Sequence, residues 1–385
     1  MEGPDQRDGE PIYIVVGNHR SILGIQEIVH SLQSSLTKSL SVRISSNIKN
    51  NAINVIIDEF SLLSDATAMK QTKELYPDTK LVLVATEFIT PVSLFGVELF
   101  RTFNFFGRMD DWLTLLTDGV RSLRRRAPSY MRQRYLGFVE AVKHCDLVVA
   151  VHVGILPGAS ELLSQCASRA APPLLVYPQI GPLTVQQQNR LRTLPIGFTM
   201  TGTMTRYRAA ITRKLIDTFE LLGWSGPVFK HVPFEQPPVA SSVLDELHLA
   251  YNSIYPEYLF NLNPAQSAKW SYSSPMRILR AILLGQIPVV TKRFRDHPLE
   301  DVALLWDTSR NGALDLAAFT IRDRDGWLDT YVRSISAYDE LAEAGNRPFV
   351  RAIKALAGNL PLAAPAVSPA EPDAVVALNR PRQRR

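Results

Sequence analysis

Residues 198–208 read Phe-Thr-Met-Thr-Gly-Thr-Met-Thr-Arg-Tyr-Arg: a strand-like run, a Gly/Thr loop and an arginine-rich helix start. Gly202, followed by Thr203, allows the backbone to approach a ligand closely. The unpaired N–H groups at a helix start suit an anion such as a diphosphate. Arg206 or Arg208 can add a bidentate charged contact. A second segment has the same ingredients: Tyr272, Ser273 and Ser274 precede Pro275, and Arg277 and Arg280 follow. Ser274 suits an N-cap and Pro275 the first helical position. Gly285 then closes the helix, and Pro288-Val289-Val290 opens a strand. Taken singly, each segment also reads as an ordinary capped helix with solvated arginines.

The surrounding pattern says what must hold these loops. Short apolar runs fall at 12–16, 41–44, 53–57, 81–85, 147–151 and 174–177. Helical spacing separates several of them, as in Ile22, Ile25, Ile28, Val29, Leu32 and Leu36, and again over 64–75, 131–144 and 159–168. Continuous β-branched runs between helices mean strands buried on both faces, hence a parallel sheet. The rhythm restarts after a Pro/Gly-bearing stretch. Strands are expected at 196–199, 228–232, 258–262, 288–291 and 303–306, and helices at 206–222, 241–250 and 274–285. The fold class is therefore α/β, with two Rossmann-like doubly wound domains facing a cleft. The expected bounds are an N-terminal domain over 1–180, a linker over 181–195, a second domain over 196–325, helices over 326–357 and a disordered basic tail over 358–385. Ligands of such sheets bind beyond the C-terminal ends of the strands. That singles out Gly17, Asn18, His19, Asp58, Glu59, Glu87 and His152 in the first domain.

Composition narrows the classes further. The chain has 385 residues, 46% hydrophobic and 21% charged, so global disorder is excluded. Cys145 and Cys166 are its two cysteines, which rules out a disulfide scaffold and a cysteine zinc cluster. No signal-type apolar segment opens the chain and no run is long enough to span a membrane, so the expectation is a cytoplasmic protein. The net charge is +5, and Arg380, Arg382, Arg384 and Arg385 lie in the last six residues, leaving the body nearly neutral. A second basic group, Arg121 to Arg134, has no acid among residues 119–139. It adjoins an aromatic stretch from Phe95 to Leu115. This pair is a candidate peripheral contact with anionic membrane or a lipid-diphosphate. Its plainer reading is a solvated basic helix beside a buried aromatic one. A near-neutral body argues against a specific nucleic-acid partner.

The run Arg280-Ala281-Ile282-Leu283-Leu284-Gly285-Gln286-Ile287-Pro288-Val289-Val290 resembles the donor-site helix and strand of GT-B glycosyltransferases. Its Gly-x-Ile-Pro-Val spacing is similar to that of fucosyltransferase-like and exostosin-like members. The Gly202 loop with Arg206 and Arg208 is similar to the opening of the C-terminal domain in the CgeB-like group. The resemblance covers residues 196–296. It implies a nucleotide-sugar donor on the C-terminal domain, contacted by Gly202, Thr203, Arg206, Arg208, Tyr272, Ser273, Ser274, Arg277 and Arg280. It implies a glycan or lipid-linked acceptor on the N-terminal domain, and no cofactor or bound metal; Asp110-Asp111 is a bare pair, not an Asp-x-Asp motif. Many retaining members carry a spaced pair of glutamates around this helix. Here no Glu lies between Glu257 and Glu300, which favours an inverting reaction.

An inverting reaction needs a base within reach of the acceptor hydroxyl. Glu87 is the first candidate and His19 the second, followed by Asp58 and Glu59. The expected function is glycosyl transfer from a nucleotide sugar in cell-surface polysaccharide synthesis. The competing readings are a catalytically inactive scaffold of the same shape and a nucleotide-sugar epimerase. A phosphoacceptor receiver with Asp58 lacks its acidic pair after the first strand. A dinucleotide enzyme lacks a Gly-x-Gly-x-x-Gly loop, because Gly17-Asn18-His19-Arg20-Ser21 does not supply it.

Overall fold

The structure, a computed structural model, describes residues 11–16, 22–58, 63–86, 89–94, 97–102, 130–156, 159–160, 163, 173–202, 204–221, 229–232, 256–265, 275–292, 298–309, 311–312 and 324–358. The chain divides into two compact units. One comprises Met1–Arg20, Leu32–Val176 and Asn346–Arg385; the other comprises Ser21–Ser31 and Tyr177–Gly345.

The first unit contains β1 (Ile12–Val15), β2 (Val42–Ser45), β3 (Ile53–Asp58), β4 (Lys80–Ala85), β7 (Leu147–Ala150) and β8 (Leu174–Leu175). They form one sheet in the order β2-β1-β3-β4-β7-β8, parallel throughout. Helix α1 (Ile22–Leu36) follows β1, α2 (Leu63–Leu75) follows β3 and α3 (Tyr130–His144) precedes β7. Helices α2 and α3 pack on each other. The central strands are buried over Ile53–Ile57 of β3 and Leu81–Ala85 of β4, which is why these stretches read as almost wholly apolar runs. The exception is Asn54, whose carboxamide accepts from Lys49 N at 2.7 Å and donates to Lys49 O at 2.8 Å. Its polar ends are thereby satisfied within the turn that feeds β3. Lys73 of α2 meets Asp146 at 2.9 Å, and Asp146 accepts from Leu81 N at 2.8 Å, joining α2 to the edges of β4 and β7.

An antiparallel pair, β5 (Ile89–Leu94) and β6 (Val97–Thr102), leads into the aromatic stretch, and its second strand lies where a buried aromatic helix was expected. The β-branched Ile89, Thr90, Val92, Val97 and Thr102, with Gly96 between the two runs, suit a hairpin better than a helix. Of the Arg121 to Arg134 group, Arg132 and Arg134 lie within α3. The rest of that group falls outside the described residues, as do the helix expected over 241–250, most of the one expected over 159–168, and the tail beyond Gly358.

The second unit is built on β9 (Phe198–Thr201), β10 (Phe229–Val232), β11 (Phe260–Asn263), β12 (Ile287–Val290) and β13 (Leu304–Leu305). Their order is β10-β9-β11-β12-β13, again wholly parallel. Helix α5 (Arg206–Leu221) follows β9 and α6 (Pro275–Leu283) follows β11. Phe198 stacks on Phe260 with ring centroids 5.2 Å apart and meets Phe219 edge-on at 5.4 Å, fixing α5 against the sheet. Among these apolar residues Gln286 donates to Tyr258 O at 2.7 Å and accepts from Asn261 at 2.9 Å. The two units are thus both Rossmann-like α/β folds.

A helix stands inside the segment 181–195: α4 (Val185–Thr193), opened by a capping box between Thr184 and Gln187. Its polar Gln-Gln-Gln-Asn-Arg sequence hides it from hydrophobic periodicity. Gln187 donates to Leu283 O at 2.7 Å and Arg190 to Leu284 O at 3.2 Å. These are carbonyls that the end of α6 leaves open, so α4 serves as the C-terminal cap of α6. The end of α4 is capped in turn by Arg324, which donates to Leu194 O at 2.9 Å and to Leu191 O at 3.0 Å. Arg324 opens α7 (Arg324–Gly358), one continuous helix where separate helices were expected. Trp327, Tyr331, Ile335 and Tyr338 are buried along one stripe of it, whereas Leu341, which helical spacing would add to that stripe, is 47% exposed.

Candidate functional site

In the second sheet the chain order reverses between β9 and β11, because β10 lies on one side of β9 and β11 on the other. A doubly wound sheet opens a crevice at that switch point, beyond the carboxyl ends of the two strands. Three described features meet its rim: Gly202 after β9, Asn263 at the end of β11 and the start of α5.

Gly202 is buried and has φ +99°, a conformation that L residues with a side chain rarely adopt. Its N–H donates to Val232 O at 3.0 Å, and its carbonyl oxygen lies 2.6 Å from His231 Nε2. Both polar groups of this turn are therefore held by the end of β10. Thr205 then caps α5: its Oγ1 accepts from Arg208 N at 3.2 Å and its carbonyl from Ala209 N at 2.9 Å. A buried strand end and a left-handed glycine thus precede the capped start of a four-turn helix. Asn263 is buried, and its amide donates to Asn261 O at 3.1 Å.

The arginines differ in what they can do. Arg206 is exposed at the first position of α5 and free to lean toward an anion. Arg208 is only 1% exposed, and its Nε donates to Pro264 O at 3.3 Å, tying α5 to the chain leaving β11. Burial pushes its guanidinium down to about 10, still charged at neutral pH. Arg277 is half-buried in the first turn of α6. Arg280, one turn on, is 4% exposed and paired with Glu27 of α1, Nε to Oε1 and Nη2 to Oε2 at 3.0 Å. That two-point pairing occupies its fork with a carboxylate of the protein itself. Desolvation raises the Glu27 carboxyl above the ordinary carboxylate range, and Arg280 opposes the rise.

The structure thus groups Gly202, Arg206 and Arg208 around one turn and sets Arg277 and Arg280 along one helix. Thr203, Tyr272, Ser273 and Ser274 lie outside the described residues, and so do His19 and Glu87. His152 is buried immediately after β7. Sequence reasoning passed over Glu27 and His231. Glu27 sits between the core residues Ile25 and Ile28, and an acid inside an apolar stripe is the signal that asks for a buried partner. His231 belongs to a strand-like run, where nothing in its spacing distinguishes it.

No family model and no curated protein matches the chain. Solved structures that resemble it include a protein from Listeria monocytogenes described as a UDP-N-acetylglucosamine 2-epimerase, at 11% identity over 90% of this chain and 96% of that one, TM-score 0.37. The S. aureus MnaA–UDP complex is 13% identical over 85% of this chain and 90% of that one, TM-score 0.30. An alpha-glucosyltransferase with UDP and a 13-mer DNA is 10% identical over 88% and 94%, TM-score 0.37. The fold itself is carried by the strand orders and parallel registers of this chain. Among the described residues, no helix is long and apolar enough to cross a membrane.

Proposed function

We propose that the chain is a glycosyltransferase of the GT-B kind that moves a sugar from a nucleotide donor to a hydroxyl of a glycan or lipid-linked acceptor. The observation that supports it is the turn at the switch point of the second sheet. Gly202 there is buried, left-handed and fixed at both polar groups, and it leads into the capped start of α5 with Arg206 exposed beside it. Such a turn suits the diphosphate of a sugar nucleotide. The CgeB-like and exostosin-like sequence resemblance of residues 196–296 points the same way.

In this reading the acceptor oxygen attacks the anomeric carbon. The bond from that carbon to the diphosphate oxygen breaks, and the nucleoside diphosphate leaves. The acceptor proton passes to a base of the N-terminal domain; Glu87 is the first candidate and His19 the second. Arg206 and Arg277 offset the charge that develops on the leaving diphosphate. The stretch Arg121 to Arg134 would meet anionic head groups or a lipid-diphosphate acceptor at the cytoplasmic face, in polysaccharide synthesis.

Thermal shift against UDP, GDP, CMP, TDP and ADP tests the reading, since a ligand of the folded state raises the unfolding midpoint by mass action. One nucleotide should stabilise the protein clearly; no shift with any of them would remove the donor site. The matching sugar nucleotide, supplied with and without candidate acceptors, then separates the outcomes. Acceptor-dependent release of nucleoside diphosphate supports transfer. Conversion of the sugar nucleotide alone into an epimer would replace transfer with epimerisation. Binding without turnover would make the chain a scaffold.

A further inference from the structure

We propose that His231 is a positioning residue for the nucleotide, acting through the Gly202 carbonyl; the inference rests on the donor site proposed above. His231 Nε2 stands 2.6 Å from Gly202 O. A carbonyl oxygen only accepts, so Nε2 carries the proton and the imidazole donates. Gly202 N–H is already bound to Val232 O at 3.0 Å, so adjacent residues of β10 hold both ends of the glycine. Strand β10 lies at the edge of the sheet and pairs with β9, with His231 opposite Met200 and Val232 opposite Thr201.

The consequence follows from the peptide plane. The C=O and N–H of one trans peptide point in opposite directions. Holding the Gly202 carbonyl toward β10 therefore fixes the plane of the peptide to which it belongs. Glycine at φ +99° has little of its own to resist a flip of this peptide, because it populates both signs of φ. The histidine donor supplies the resistance. Gly202 is buried, so losing the donor also leaves its carbonyl unsatisfied, which favours rearrangement of the turn. The edge strand, rather than α5, sets the shape of the phosphate-facing turn.

The test uses His231→Leu, His231→Gln, whose amide nitrogen can stand near Nε2, and His231→Asn, which stays polar but is too short. Two readouts are taken on the full chain: amide hydrogen exchange of the segment 201–209 without ligand, and affinity for whichever of UDP, GDP, CMP, TDP and ADP stabilises the wild type. The leucine and asparagine variants should exchange faster across 201–209 and bind about three- to tenfold more weakly, the range one lost hydrogen bond allows. The glutamine variant should recover both, and the leucine and asparagine variants should lower the unfolding midpoint by no more than one unsatisfied buried carbonyl explains. A leucine variant that matches the wild type in exchange and affinity overturns the inference. Equal damage from glutamine and leucine also overturns it, because ring packing rather than the donor would then be responsible. A wild type that binds none of the nucleotides removes the donor-site reading instead, and the exchange data alone then decide whether His231 holds the turn.

Discussion

Glu27 of α1 and Arg280 of α6 form a two-point ion pair, and Glu27 is fully buried. A buried pair is a poor source of net stability, because desolvation of both ions offsets most of their attraction, yet breaking one partner strands the other charge. Glu27→Leu or Arg280→Leu should each destabilise by about 3–5 kcal/mol. The double replacement should cost clearly less than the sum. Urea unfolding of the four proteins in a double-mutant cycle measures this; additive losses would mean the two side chains do not act as a pair.

The same carboxyl makes a pH prediction. Burial raises the Glu27 pKa in the folded state above its unfolded value. Between those two values the folded chain binds more protons than the unfolded chain, so stability falls as pH rises through the window. Comparing urea midpoints of wild type and Glu27→Gln from about pH 4 upward isolates this slope. The glutamine variant should lack it.

Arg206 and Arg208 are two residues apart and should behave oppositely. Arg208 is buried and bonded to Pro264 O, so Arg208→Ala removes both packing and a charged hydrogen bond and should destabilise by about 2–4 kcal/mol. Arg206 is exposed, and Arg206→Ala should leave stability within about 0.5 kcal/mol. Under the proposed function it should nonetheless weaken nucleotide binding about tenfold or more, as should Arg277→Ala. Unchanged nucleotide affinity in both Arg206→Ala and Arg277→Ala would remove the phosphate assignment.

Acidification should act through His30. Its Nε2 lies 3.1 Å from Gln179 O, in a segment where Asp339 accepts from Ile180 N at 2.8 Å and Gly181 N at 2.9 Å and Tyr338 donates to Pro178 O at 2.7 Å. Burial lowers the His30 pKa, against the opposing pull of the Gln179 and Ile180 backbone and Asp339. The unfolded chain then takes up the proton first as pH falls, so folding stability drops on acidification through the ordinary imidazole range. Wild type should lose stability between about pH 7.5 and about pH 5, and His30→Gln should lose less. Parallel losses in the two proteins would place the effect elsewhere.

What the sequence disclosed follows from how each element is stabilised. Strands β4 and β12 are buried on both faces, so burial writes Leu81–Ala85 and Ile287–Val290 as unbroken apolar runs. Helix α5 announces itself through Gly202 and the threonines before it. Helix α4 was invisible because it is held by polar bonds to carbonyls of α6, and those depend on a partner nearly a hundred residues away. The hairpin β5–β6 was obscured by its aromatic neighbours, whose composition says buried without saying strand or helix. At the end of β9, the turn at Gly202 and the helix start at Arg206 were legible from local order. Arg208 and Arg280 were not distinguishable from Arg206 by type, since their different fates depend on Pro264 and Glu27 across the fold.

The glycines of the second unit separate conformation from contact. Gly181 and Gly285 both have positive φ, +77° and +71°. A Cβ added to Gly181 would meet nothing within 4 Å, whereas at Gly285 it would lie 3.0 Å from Gln187 Cα and O and 3.1 Å from Arg190 Cβ. Gly181→Ala should therefore cost only the left-handed strain of an alanine, about 1 kcal/mol. Gly285→Ala adds a collision with the backbone of α4, which cannot retreat without releasing the Gln187 and Arg190 bonds to Leu283 and Leu284. Its cost should reach about 3 kcal/mol, measured as the difference in urea midpoint at unchanged slope. Equal losses at the two positions would show that α4 yields freely, and that its capping of α6 contributes little.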